Sequence, residues 1–221
     1  MPTALESRAA LTVVTGAAVN AVQQLLGSLT GSPDAVRSDL LSAVPEVIGY
    51  YADGSSALAA DFYDDERDRA SARGRFTAEP VVLDRWEKVG RALAWATQPL
   101  VEGDGDVPAR LAEVVQIETA RPYRDTITTN RQRDPEAVGW QRVSAGGCSF
   151  CRMLASRGAV YRAETARFAS HTNCHCTAQP VFKGNDPGDE ASVIQYVASK
   201  RRPSARDRAR VRAYLAENFG D

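Results

Sequence analysis

Outside Cys148–Cys176 this chain has no cysteine and no histidine. All four cysteines and both histidines fall inside that one stretch. Soft ligands are therefore needed in one small region and nowhere else. The formal net charge is only -1, which removes any global electrostatic case for nucleic acid or membrane as a partner. Apolar runs are broken by polar residues well before a bilayer-spanning length, so no transmembrane helix is expected. The opening MPTALESRAALTVVTGAAVN has no basic leader ahead of an unbroken apolar stretch, so no signal peptide is expected. Without a secretory route, the cysteines are expected as reduced thiols rather than disulfides. There is no GKS or GKT, no GxGxxG and no G-x-S-x-G elbow, and neither a repeat nor a low-complexity tract.

What is present, 221 residues of which 43% are apolar, is enough for one large domain or two small ones with a real core. The N-terminal part reads as helix. The run from Leu5 to Leu29 is rich in Ala, Leu and Val and is closed by Gly31, Ser32 and Pro33. A second helix is expected from Ser32 or Pro33 to about Tyr51, kinked or split at Pro45. A third covers Ser55 to Ser71. A fourth begins at Pro80, buries Trp86, Val89 and Leu93, and ends at Pro99. Gly103-Asp104-Gly105-Asp106 reads as a turn-rich joint. From Pro108 another helix passes through Leu111, Val114 and Val115, with a kink or break at Pro122. Asp134-Pro135 reads as a turn, and the architecture is expected to change there.

Beyond it the pattern shortens. Strands are expected at Trp140–Val143 and Thr177–Phe182, with a short helix at Ser149–Ser156 stopped by Gly158. Asn185-Asp186-Pro187-Gly188 is a strong turn. One helix after it would present Val193, Tyr196 and Val197. A last one, with Ser204 and Asp207 spaced as a capping box, would present Val211, Leu215 and Phe219. The expected fold is mainly α with a small α+β, zinc-clamped C-terminal module: a helical domain over 1–135 and a zinc-binding module with two terminal helices over 136–221.

The cysteine stretch is arranged as Cys148-x2-Cys151, a long spacer, then His171-x2-Cys174-x-Cys176. Two short chelating turns meeting on one ion is the format of a structural zinc site, tetrahedral with thiolate and imidazole ligands. The candidates Cys148, Cys151, His171, Cys174 and Cys176, with His175 beside them, exceed the four places of a closed site. The set is either the four cysteines or the same set with His171 in place of Cys174. A closed site has no position for water, so the ion would hold the fold rather than hydrolyse anything. Two blander readings stand beside it: four buried thiols without metal, and a disulfide pair. The second lacks the βαβ setting of a redox Cys-x2-Cys.

Three other features invite a functional reading. Ser144 and Ser149 lie near the histidines, but those histidines are more useful as ligands than as a catalytic base. The acidic run from Asp61 to Asp68 reads as a solvated helix face with salt bridges to Arg67 and Arg69. Lys200 to Arg212 carries seven Lys or Arg against one Asp, which suits nucleic acid, an acidic partner or an exposed helix face equally.

The run GWQRVSAGGCSFCRMLASRGAVYRAETARFASHTNCHCTAQPVF resembles the signature block of the phage Mu F-like minor head proteins of actinobacterial tailed phages. It carries the Cys-x2-Cys start, the "MLA-RG-VY" middle and the His-x2-Cys-x-Cys close followed by Pro-Val. ADFYDDERDRA, Ala60 to Ala70, is similar to that family's Ala-rich helix. The resemblance implies a minor capsid protein of the phage head interior, assembled in the host cytoplasm, associated with the portal and with major capsid or scaffold protein. Packaged DNA would be met through Lys200–Arg212, and no membrane is implied. Relatives are often called capsid maturation proteases, yet no protease constellation is seen here, so a non-enzymatic head-morphogenesis role is expected first. Protease and zinc-containing DNA-binding module are the alternatives. Some relatives carry a toxin or enzyme domain after the block, and the residues following Phe182 are too few for one.

Overall fold

A computed structural model describes residues 1–145, 148–159, 161, 168, 174–184 and 204–219. His171, the 185–188 turn, the helix expected around Val193–Val197 and Lys200–Arg202 lie outside the described residues. In chain order the elements are α1 (Ala4–Ser28), α2 (Pro33–Arg69), α3 (Trp86–Thr97), α4 (Pro99–Glu102), α5 (Val107–Arg133), β1 (Ala137–Val143), α6 (Ser149–Ala155), β2 (Thr177–Phe182) and α7 (Ala205–Phe219). The chain is mainly helical with one small antiparallel sheet.

Local chemistry sets the helix starts. Thr3 and Glu6 close a capping box on α1. Ser32 caps α2 ahead of Pro33, and Asp106 caps α5 through the Ala109 N–H. The two expected helices between Ser32 and Ser71 are one element of 37 residues. Pro45 forfeits one backbone bond there, but the buried stripe Leu40, Val44, Ile48, Ala52, Ser55, Ala59 and Phe62 runs unbroken past both Pro45 and Gly54. Packing along that stripe outweighs the lost bond. Pro122 is likewise absorbed within α5.

The helix expected from Pro80 starts instead at Trp86. Side chains of the neighbouring helices hold the preceding segment extended. Asp64 Oδ1 accepts from the Ala78 N–H, Asn130 Oδ1 from the Glu79 N–H and Thr126 Oγ1 from the Val81 N–H, while Asn130 Nδ2 donates back to the Glu79 carbonyl. Backbone groups satisfied in this way have no need of a helix. Val89 and Leu93 are buried as expected, whereas Trp86 is 43% exposed, its ring edge lying over Gly49 of α2. Pro99 opens the short α4 rather than only closing α3. Gly105 (φ +126°) makes the joint before α5, where an added Cβ would come within 2.9 Å of Pro99.

Polar cross-links give the helix directions. Ser55 Oγ donates to the Thr119 carbonyl (2.6 Å) and Arg67 Nε to Asp134 (2.9 Å), so α2 and α5 run parallel. The Ser7 and Tyr123 hydroxyls meet at 2.6 Å and Gln23 Nε2 donates to the Pro108 carbonyl (2.8 Å), so α1 runs antiparallel to α5. Contrary to expectation, α1 is long and apolar enough to cross a bilayer by length and composition, its 18-residue window reaching a mean hydropathy of 1.4. It packs one stripe, Ser7, Leu11, Thr15, Ala18 and Val22, into the helical body.

Two cores are strung along α2 and α5. The first is aliphatic: Ala18 and Val22 of α1, Leu40, Val44 and Ile48 of α2, Val89 and Leu93 of α3, Leu111 and Val115 of α5. The second joins Leu11, Phe62, Tyr63, Tyr123 and Ile127 to Trp140, Ala178 and Phe182 of the sheet. In that sheet Trp140 lies opposite Pro180 and Val143 opposite Thr177, with an irregularity between Ala137 and Gly139. Tyr161 bridges to Trp140 and stacks on its ring at 4.1 Å. Gly158 ends the α6 turn in the left-handed region (φ +64°), as its position suggested. On α7, Leu215 is buried and Val211 stays 43% exposed.

Candidate metal centre

Three sulfurs converge beside the second core. Cys151 projects from α6, and Cys174 and Cys176 stand at the entry to β2. Their Sγ atoms all lie within 4.8 Å of one another, and all three residues are buried. Cys151 and Cys174 are 3.8 Å apart at sulfur, and none of the cysteines is in a disulfide. Two thiolates on a tetrahedral zinc, each about 2.3 Å from the ion, stand about 3.8 Å apart. The separation is that of ligands sharing one ion and far exceeds an S–S bond of about 2.0 Å.

Backbone alternation explains which side chains converge. In an extended chain, residues i and i+2 point one way and the residue between them the other. Cys174 and Cys176 therefore share a side and His175 faces away, where its ring contacts Gln116 Nε2 of α5 at 3.2 Å. Burial and the nearby Arg8 charge hold its pKa below the usual histidine range. His175 is the one histidine among the described residues, and it pairs with neither serine nor carboxylate.

The expected ligands divide into three groups. Cys151, Cys174 and Cys176 are brought together. Cys148 is exposed at the N-cap of α6 and is not among the three clustered sulfurs. His171 lies outside the described residues. The three sulfurs could hold a metal ion, and the donor set is soft, as zinc prefers.

Two buried arginines surround the cluster, and sequence reading missed both. Arg124 of α5 donates from Nε to the Cys176 carbonyl (3.0 Å) and from Nη2 to the Cys174 carbonyl (2.7 Å). Arg142 of β1 points Nη1 at the Cys174 sulfur from 4.0 Å. The Phe168 ring lies under both guanidiniums, 3.9 Å from that of Arg142 and 5.0 Å from that of Arg124. The signal was positional. Arg124 falls on the α5 stripe with Ala120, Tyr123 and Ile127, and Arg142 shares its side of β1 with the buried Trp140 two residues before it. A charge at a core position needs an acceptor, and here the acceptors are the carbonyls and sulfur of the cysteine turn. Hydrogen bonding with the Cys151 and Cys176 side chains holds the Cys174 pKa well below the usual thiol range; burial opposes this and the Arg124 charge assists it.

The acidic run takes part in cross-links within the fold. Glu66 pairs with Arg69 and accepts from Gln179 of β2 (2.7 Å), which in turn accepts from Gln141. Arg67 does not serve the acidic run as expected. It turns inward to Asp134, whose carboxylate is fully buried, and so ties the end of α2 to the turn before β1.

A helical body carries a sheet whose entry turn gathers three thiols that could hold a metal ion, beside two buried arginines. The chain belongs to the VG15 protein family, whose model matches residues 3–198. That family is one of viral gene products, and this is a phage-encoded protein. No curated protein and no solved structure gives a significant match.

Proposed function

We propose that this protein is a minor head protein of a tailed phage, of the Mu F-like kind, acting in head morphogenesis beside the portal and stabilised by a structural zinc ion. The thiol cluster is the observation that carries the reading. It falls within the Cys-x2-Cys … His-x2-Cys-x-Cys block on which the resemblance rests, and its sulfur spacing suits one tetrahedral ion. Cys151, Cys174 and Cys176 would be three ligands, with the fourth from Cys148 or His171. The ion would fix α6 to the entry of β2, and Arg124 would fix that turn to the helical body. Such a centre contributes folding energy and leaves no site for an attacking water.

Co-expression of the tagged chain with the portal and major capsid proteins of the same phage tests this reading. The portal is expected to co-purify and the capsid protein to stay intact. Loss of the portal on washing at low salt overturns the portal role. Cleavage of the capsid protein, abolished by one side-chain change here, overturns the non-enzymatic reading.

A second reading has its own observation. Arg206, Arg208, Arg210 and Arg212 are all exposed on α7, which suits contact with the phosphates of packaged DNA. Binding that falls with salt, and disappears when the four are neutralised together, is the expected result; binding unchanged by that substitution contradicts it.

A further inference from the structure

We infer that the fourth ligand of the centre is the Cys148 thiolate, and that Arg124 is the buried counter-charge of a four-sulfur zinc site. The inference rests on the metal reading above and specifies its ligand set.

Two observations favour Cys148 over the imidazole of His171. The first is charge. A metal-bound thiol is deprotonated outright, so zinc with three thiolates carries -1, a fourth thiolate makes it -2, and an imidazole leaves it at -1. The cluster is buried, and two guanidiniums stand against it. Arg124 is 3% exposed with both of its donors on the Cys174 and Cys176 carbonyls. Arg142 is 5% exposed with Nη1 facing the Cys174 sulfur, and it has further contacts as well. Two guanidiniums therefore offset the charge of the thiolates, and in a low-dielectric setting that favours an anionic fourth ligand over a neutral one.

The second observation is the local geometry of α6. Cys148 is its N-cap residue and Cys151 its third helical residue. An N-cap side chain folds back over the N2 and N3 positions, which is why Ser and Asp cap there. Cys148 makes no side-chain capping bond at that helix end. His175 is turned to Gln116 on the far side of the turn, so its imidazole is not a further candidate. Arg124 then acts through the ligands as a positioning residue. It holds the carbonyls of the Cys-x-Cys turn and balances the charge of the sulfurs.

Zinc-edge X-ray absorption of the purified full chain tests the inference. A first shell of four sulfurs is expected. His171→Ala should keep one zinc and the same shell. Cys148→Ser should lose one sulfur from the shell and weaken zinc at least tenfold, roughly the smallest effect of losing even an outer partner. Arg124→Met should weaken zinc about tenfold with the four-sulfur shell intact, and Arg124→Lys should recover part of that loss. A wild-type shell of three sulfurs and one nitrogen, with zinc lost in His171→Ala, overturns the ligand assignment and leaves the zinc site standing. A chain without zinc overturns both. Zinc affinity unchanged in a folded Arg124→Met variant overturns the counter-charge role.

Discussion

The two cores built along α2 and α5 are closed by different means. The first is Ala, Val, Leu and Ile from four helices, with no polar group needed to finish it. The second takes aromatic rings from the helices and the sheet, and its far edge is finished by three sulfurs, one phenyl ring and two guanidiniums. The contrast follows from the supply of apolar side chains. Four helices offer long stripes that bury one another, and this is sufficient. Among its described residues, the segment from Ala137 to Phe182 offers one two-stranded sheet and a seven-residue helix, units too short to be stable on their own. It borrows stability from α5 through Arg124 and, in the proposed account, from a metal ion. One end of the molecule is therefore held by area and the other by specific bonds.

That contrast can be broken most forcefully by removing the metal. Chelation at neutral pH should strip backbone protection from β1, α6 and β2 and leave the aliphatic core folded, since structural zinc contributes on the order of 10 kcal/mol to a small site. Hydrogen exchange resolved along the chain reads this directly. Equal protection with and without chelator would erase the distinction between the two ends.

A smaller effect is expected where the ends join. Asp134→Ala strands the Arg67 guanidinium in a buried position and should cost about 3–5 kcal/mol in denaturant unfolding. Because the pair links α2 to the turn before β1, both ends should loosen together. Loosening of the sheet alone would mean that the ends are coupled elsewhere.

Leu111→Ala sharpens the comparison from the other side. Leu111 is fully buried in the aliphatic core, and its loss should cost about 2–5 kcal/mol. Metal content should not change. Thr3→Ala is the mildest: removing the capping box of α1 should cost about 1 kcal/mol, read as a shift in the thermal midpoint with the sheet undisturbed.

Much of this fold was legible where a residue's own backbone preference decides the outcome. Ser32-Pro33 starts a helix, Gly158 stops one, and the short patterns at Trp140–Val143 and Thr177–Phe182 mark β1 and β2. Legibility failed where a neighbour distant in sequence decides. Pro45 should interrupt α2, but the stripe on either side of it packs on α1 and α5, and no local rule contains that information. Pro80 suits a helix start, yet Asn130, fifty-one residues from Glu79, ties the backbone beside Pro80 into an extended course. The centre divides along the same line. The clustering of cysteines announced a site, while the turning of His175 away from Cys174 and Cys176 is seen only in the structure. Arg124 and Arg142 passed unnoticed because a surface arginine and a core arginine look alike until the stripe beneath them is traced.

The metal content of the purified full chain, measured by mass spectrometry alongside titration of its reactive thiols, tests the central claim most directly. The account predicts one zinc per chain, with Cys151, Cys174 and Cys176 shielded from thiol reagents until a chelator is added. A chain free of zinc, with these cysteines modified at the rate of an unfolded control, would contradict it.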